Sequence, residues 1–300
     1  MALRITPLIC FLLLITPSAN AQEAVVQTAI HTAPITSPTT GQVIQFTQAK
    51  TSVGERVAQR VGMELNLHTV IKQSGQIAHD GTTALRRRQE RTIEVLEVVE
   101  NRARKAKVTY SLSRVMSPEN PDAAKEIAQV VEGKSYLITR NGATLMVTDS
   151  EGSIPTKQEF EIVVNSMESF GQPNPLATFL LTREIRVGDR LEVPLNVASK
   201  MMGFDSLGEV QRFELHLTEV KVVNGKQCAV FAATIAALGK PDNPLNVQAQ
   251  GNVVIEIATC RTLEATLTGP LSLQTTDQNT EYTATGDLLL AIRSQYSAKK

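Results

Sequence analysis

The sequence predicts a mainly β protein, built as two tandem related modules of curved antiparallel sheet with one or two short helices. Three observations predict it. Apolar and polar residues alternate with period two over long stretches. In the clearest, Met63, Leu65, Leu67, Thr69 and Ile71 share one face and Glu64, Asn66, His68 and Lys72 the other, as in a half-buried strand. Asn141-Gly142 and Asn224-Gly225 punctuate such stretches and carry the residue types that two-residue hairpin turns demand. Finally, the chain resembles itself. Leu96-Glu97-Val98-Val99-Glu100-Asn101 matches Thr218-Glu219-Val220-Lys221-Val222-Val223-Asn224 at an offset of 122, with one residue inserted before the Asn. The strands at Tyr136–Ile138 and Leu145 match those at Val254–Glu256 and Leu263 at an offset of 118. Such repetition constrains architecture before any residue is given chemistry.

Taken in order, residues 1–21 read as a secretory signal peptide. Arg4 supplies the positive start, Leu8 to Ile15 the short apolar run, and Ala19-Asn20-Ala21 the cleavage site. The run is too short to span a bilayer, which takes about 20 residues. Residues 22–50 read as a Pro/Ser/Thr-rich linker, with Val43-Ile44-Gln45-Phe46 as a short strand near its end. The first module, 51–170, is expected to hold strands near Met63–Ile71, Thr83–Val99, Val108–Leu112, Tyr136–Thr139, Thr144–Thr148 and Phe160–Val164. A helix is expected from Asn120 to Val131, with Asn120 as cap, Pro121 at its first position and Gly133 as its stop. The second module, 171–300, opens with a short helix at Pro175–Leu181. Strands follow near Leu191–Val197, Phe213–Val222, Cys228–Ile235, Val253–Ala258, Leu263–Thr268, Leu271–Thr275 and Thr283–Ser294. The inward parity switches between Leu217 and Val220, which predicts a β-bulge near Thr218-Glu219.

Composition excludes some functions. Without residues 1–21, which carry one base and no acid, 29 basic residues stand against 30 acidic ones. A nucleic-acid-binding domain is distinctly basic. The chain has no Trp and only 4% aromatic residues, a poor supply for stacking on sugars or bases. No G-x-S-x-G, H-E-x-x-H, P-loop or C-x-x-C motif occurs, and no cofactor is implied. The four histidines do not stand at metal-ligand spacing, although a cross-strand pairing of His68 with His79 is open to the sequence.

The remaining candidates are few. Cys228 opens one strand and Cys260 closes the next, so an antiparallel pairing brings them to one end of a hairpin. A disulfide suits an exported protein, and two buried thiols suit the same positions. Arg86, Arg88 and Arg91 head a basic stretch that is a candidate surface for an envelope protein or anionic partner. Interleaved Glu90, Glu94 and Glu97 also fit cross-strand ion pairs on a solvated face. Glu97 and Glu219 occupy matching places in the two modules and are the one candidate pair for acid–base work.

Val187-Gly188-Asp189-Arg190-Leu191, the stretch Gly251–Leu267 and Gly269-Pro270-Leu271 resemble features of exported bacterial β-rich proteins of uncharacterised families, which have two related halves. The resemblance implies a signal peptide and a β fold, and no activity. The expected function is therefore that of an exported, periplasmic or extracellular protein. It binds an apolar, lipid-like ligand or a protein partner without catalysis. A structural or interaction module is the alternative, and a hydrolase with an unrecognised site comes last.

Overall fold

The computed structural model describes residues 41–116, 125–202, 208–240, 244–277 and 279–297. The fold is mainly β. Its principal feature is one large antiparallel sheet with both edges open. In chain order its long strands are β2 (Arg56–Gln73), β3 (Gln76–Val99), β4 (Arg102–Met116), β6 (Ser135–Asn141) and β7 (Thr144–Asp149), then β9 (Arg190–Glu192), β10 (Gly208–Val223), β11 (Lys226–Gly239), β12 (Leu245–Glu256), β13 (Arg261–Asp277) and β14 (Thr280–Ser297). The spatial order is β7-β6-β4-β3-β2-β14-β13-β12-β11-β10-β9. Residues on either side of position 170 thus build one continuous surface. Its seam is the pairing of β2 with β14, from Arg56 opposite Ser297 to Gln73 opposite Thr280.

Local sequence explains the hairpins. Asn224 and Gly225 both have positive φ, 51° and 78°, and link Val223 to its partner Lys226. Glu100 and Asn101 (50° and 62°) do the same between β3 and β4. Two successive residues at positive φ make the type I′ turn, whose twist matches that of the strands. The predicted bulge is present: register shifts between Leu217 and Glu219. A shift at the corresponding place in β3, between Val95 and Glu97, precedes the matching hairpin.

One face of the sheet is apolar and the other wet, as antiparallel sheets allow. The wet face carries cross-strand pairs such as Arg86–Glu64 at 2.8 Å, Arg60–Glu90 at 3.1 Å and Arg293–Glu264 at 2.8 Å. Such exposed pairs contribute only about 0–1 kcal/mol each. The apolar face is covered by β1 (Val43–Gln45), which pairs with β8 (Glu184–Arg186), and by helices α2 (Pro175–Leu181) and α3 (Leu195–Met202). Ile44, Phe46, Ile185, Leu176, Phe179, Leu180 and Ala198 pack there into one cluster with Met63, Leu65, Phe213, Leu215, Phe231, Leu267 and Leu290 of the sheet. A second cluster lies toward the other edge, where α1 (Lys157–Met167) packs Ile162, Val163 and Met167 against Val108, Tyr110, Tyr136, Ile138 and Val147.

Glycine lets neighbouring strands approach closely at two points. A Cβ at Gly251 would overlap the carbonyl oxygen of Thr266 on the neighbouring strand, and one at Gly286 would overlap that of Asn66. Backbones approach at these points as no other residue permits, which is how glycine introduces bends into strands.

Several elements differ from the sequence expectations. Residues 117–124 lie outside the described residues, and with them the start of the helix expected at Asn120–Val131. Its described half is not helical. Ile127–Ala128 forms β5, paired with Arg114 and Val115 of β4, and Gln129 N donates to Ser113 O at 2.7 Å. The exposed backbone of β4 offers those residues a ladder, and pairing prevails over helix propensity. Phe160–Val164 is not a strand but the middle of α1. The expected strand over Leu191–Val197 stops at Glu192, and Pro194 begins α3, its carbonyl accepting from Val197 N and Ala198 N. The helix at Pro175–Leu181 forms as expected, capped by the Asn174 side chain on Leu176 N and Ala177 N. Residues 43–49, placed at the end of a linker, are tied down. Phe46 is buried, and Thr47 N and Ala49 N donate to the carbonyls of Ile257 and Thr259.

Candidate functional site: an apolar hollow beside a buried arginine

Five adjacent strands supply the floor of a hollow: Phe213 from β10, Ala233 and Ile235 from β11, Val253 from β12, Ala265 and Leu267 from β13, and Ile292 from β14. Five neighbouring strands line a single hollow only if the sheet is concave. The segment from Ser169 to Leu176 and Lys200-Met201 of α3 form its rim. Ala233 and Ala265 contribute small side chains to this floor. The enclosed space measures about 150 Å³, the size of an apolar cavity that holds a benzene-sized group. Its wall is overwhelmingly apolar. Lys200 is the charged residue at the rim.

A second hollow of about 180 Å³ adjoins it, with Ser169 lining both. Val57, Ile93, Val95, Met167, Phe170 and Tyr296 contribute apolar wall. Its polar lining is unusual for the inner face of a sheet. Along β3 that face reads Leu85, Arg87, Gln89, Arg91, Ile93, and Arg87, Gln89 and Arg91 are all buried. The Arg91 Nε donates to Gln59 Oε1, and its Nη1 donates to Gln89 Oε1 at 3.1 Å. Tyr110 lies against the same guanidinium. Ser166 Oγ donates to the Val163 carbonyl at 3.1 Å, so the 2.6 Å bond between Tyr110 and Ser166 is donated by the tyrosine. The phenol oxygen is thereby left to accept from Arg91. Burial holds the Arg91 pKa down to about 10, so it stays charged at neutral pH, and burial pushes the Tyr110 phenol up. Glu55 lines the same hollow but is engaged by Arg261, whose guanidinium also stacks on Tyr296 at 4.5 Å.

This corrects the expected partner surface. Arg86 and Arg88 lie on the wet face, paired with Glu64 and Glu126. Arg91 lies on the opposite face and is 3% exposed. The parity that sends Ile93 and Val95 inward sends Arg91 with them. The candidate disulfide is also not formed. Cys228 and Cys260 are free and buried, and they belong to different packing clusters, Cys260 to the main one and Cys228 to a small one with Val230, Val254 and Leu263. Burial pushes the Cys260 thiol up to about 12 and raises that of Cys228. Thiolate is the reactive form. Neither thiol should therefore react quickly with an aromatic disulfide reagent in the folded protein, and both should do so in denaturant. Rapid reaction of a native thiol would contradict the packing.

Glu97 and Glu219 are not brought together. They stand on β3 and β10, six strand spacings apart in the sheet, each partly exposed and beside its own base, Arg104 at 3.6 Å and Lys221 at 2.8 Å. His68 faces Thr82 across the strands, not His79, and lies 3.4 Å from Asp80. Among the described residues, no group of three or more His, Cys, Asp or Glu side chains is placed to hold a metal ion, and no helix is long and apolar enough to cross a membrane.

A third, polar recess lies at the start of α1. There Glu159 closes a capping box with Thr156 and accepts from Lys134 Nζ at 2.7 Å and from the Tyr136 hydroxyl at 3.0 Å. The Lys134 contact, helped by Thr156, holds the Glu159 carboxyl down to about 2. A carboxyl so depressed contributes stability that is complete above its usual value near 4.5 and is lost as pH falls toward 2. Because Lys134 is half exposed, screening keeps the effect to about 1–2 kcal/mol. The gap in melting temperature between the wild type and Glu159→Gln should be widest near pH 7 and close toward pH 2. A gap independent of pH would show that the charge is immaterial. These bonds account for the cluster as a helix cap.

No protein-family model matches the sequence, and no curated protein matches it. Among solved structures, lipovitellin, in a study of its lipid–protein interactions, is similar over 83% of this chain at 8% identity and a TM-score of 0.33. The chain spans about a quarter, 26%, of that protein. An outer membrane channel from Pseudomonas putida F1 is similar over 83% of this chain and 97% of its own, at 11% identity and a TM-score of 0.21. A LolA superfamily protein from Nitrosomonas europaea is similar over 80% of this chain and 86% of its own, at 9% identity and a TM-score of 0.15. At TM-scores below 0.5 none of these likenesses assigns a family or a function to the chain.

Proposed function

We propose that this is an exported cell-envelope protein that binds an apolar, lipid-like ligand without catalysis. The observation that carries the reading is the hollow on the inner face of the sheet. A packed sheet–helix interface fills its space at near-crystalline density, whereas here an apolar cavity of about 150 Å³ stays open beneath a partial cover, the form a site for an apolar molecule takes. Export rests on the signal-peptide pattern of residues 1–21. The alternative of docking through a basic surface is weakened by the position of Arg91 inside the fold and by the acidic partners of Arg86 and Arg88.

Native mass spectrometry of the protein purified without detergent, followed by solvent extraction, tests the reading. A population carrying one lipid-sized adduct, released on extraction and restored by adding lipid, is the expected result. A protein that is adduct-free when purified and takes up no lipid when challenged would sink it.

A further inference from the structure

We propose that the ligand is a single-chain amphiphile with a carboxylate head. Its tail lies in the hollow between β10 and β14, and its head meets Arg91 in the adjoining hollow. This rests on the apolar-ligand reading above and names the chemistry of the molecule.

The argument begins with a charge. Arg91 is fully enclosed on the inner face, and its neighbours Gln59, Gln89 and Tyr110 supply neutral oxygens only. A buried cation is costly unless an anion accompanies it. The carboxylate in the same hollow, Glu55, is held by Arg261. A positive charge is thus held on the inner face of the sheet. Gln59, Gln89 and Tyr110 take three of the guanidinium's five donors and fix its plane, which leaves two for an incoming carboxylate.

Geometry supplies the second half. Arg91 lines a hollow whose remaining wall is mostly apolar, and Ser169 lines both that hollow and the one between β10 and β14. A molecule occupying both would be apolar along most of its length and anionic at one end. A fully neutral chain would leave the guanidinium uncompensated, and a small hydrophilic anion would leave the hollow between β10 and β14 empty.

Displacement of N-phenyl-1-naphthylamine from the delipidated full-length mature protein tests the assignment, with dodecanoate, dodecanol and dodecyltrimethylammonium as competitors. A charge-assisted pair in an enclosed site predicts that dodecanoate displaces the dye at a concentration at least about tenfold below that of dodecanol. Dodecyltrimethylammonium should be the weakest of the three. Arg91→Met should erase the preference for the acid while leaving dodecanol unchanged, and Arg91→Lys should keep part of it. Should Arg91→Met fail to fold, the ratio of acid to alcohol on the wild-type protein decides alone. Equal displacement by acid and alcohol would overturn the head-group assignment and leave the apolar-ligand reading standing. No binding of the dye and no displacement by any chain would overturn both.

Discussion

Replacing Ala265 with Trp is expected to abolish binding of a neutral apolar fluorophore while leaving the protein folded. Ala265 lies on the floor of the hollow between β10 and β14, with Val253 on one side and Ile292 on the other. An indole there would occupy the space that the ligand needs. In a filled core such an insertion costs about 1–3 kcal/mol. Here the void accepts it, so the melting temperature should hold or rise while affinity for N-phenyl-1-naphthylamine falls at least about tenfold. A titration of the variant that overlays the wild type would place the dye elsewhere.

The second large effect concerns the cover. Phe231→Ala should destabilise the protein by about 3–5 kcal/mol, a substantial part of the 5–15 kcal/mol typical of a folded domain. Phe231 is fully buried on β11 and stacks on Phe46, with ring centres 6.3 Å apart and planes inclined by 26°. Phe46 is the anchor of residues 43–49, which cross to the β12–β13 turn through the bonds of Thr47 and Ala49. Truncating the ring empties a packed site and loosens that strap together. Urea denaturation followed by circular dichroism measures the loss. A change below about 1 kcal/mol would mean that the strap contributes little to the cover.

Much of the sheet was legible because its signal is local. Period-two alternation gave β2 its inner face, and Asn224-Gly225 and the parity change at Thr218-Glu219 gave a turn and a bulge that the structure contains. The pairing of β2 with β14 was not legible, since nothing in either strand names a partner two hundred residues away. The helix at Pro175–Leu181 was legible, and the other two were missed for different reasons. Thr156-Lys157-Gln158-Glu159 carries a capping-box signature, but the β-branched run Ile162-Val163-Val164 suggested a strand. The capping bonds and the apolar stripe that α1 lays on Tyr110 and Tyr136 prevail. At Pro194 the alternation from Leu191 continued by coincidence past a residue that cannot extend a ladder.

The site was the least legible part. A hollow arises where side chains are too small to fill a concave face, and neither Ala233 nor Ala265 marks itself as such in one dimension. Arg91 was within reach. Its odd parity, shared with Ile93 and Val95, already placed it inward, but its neighbours in a mixed-charge run suggested a solvated surface. A strongly polar residue on the parity of the core was the signal, and it coincides with the polar belt between two apolar clusters.

The most direct test of the apolar site is where a bound chain lies. Delipidated protein photolysed with a diazirine-bearing hexadecanoate, digested and mapped by mass spectrometry, should carry the label on inner-face residues of β11 to β14 and on the segment 169–176. Label spread over the wet face around Arg86 and Glu264, or none above the level of a denatured control, would contradict it.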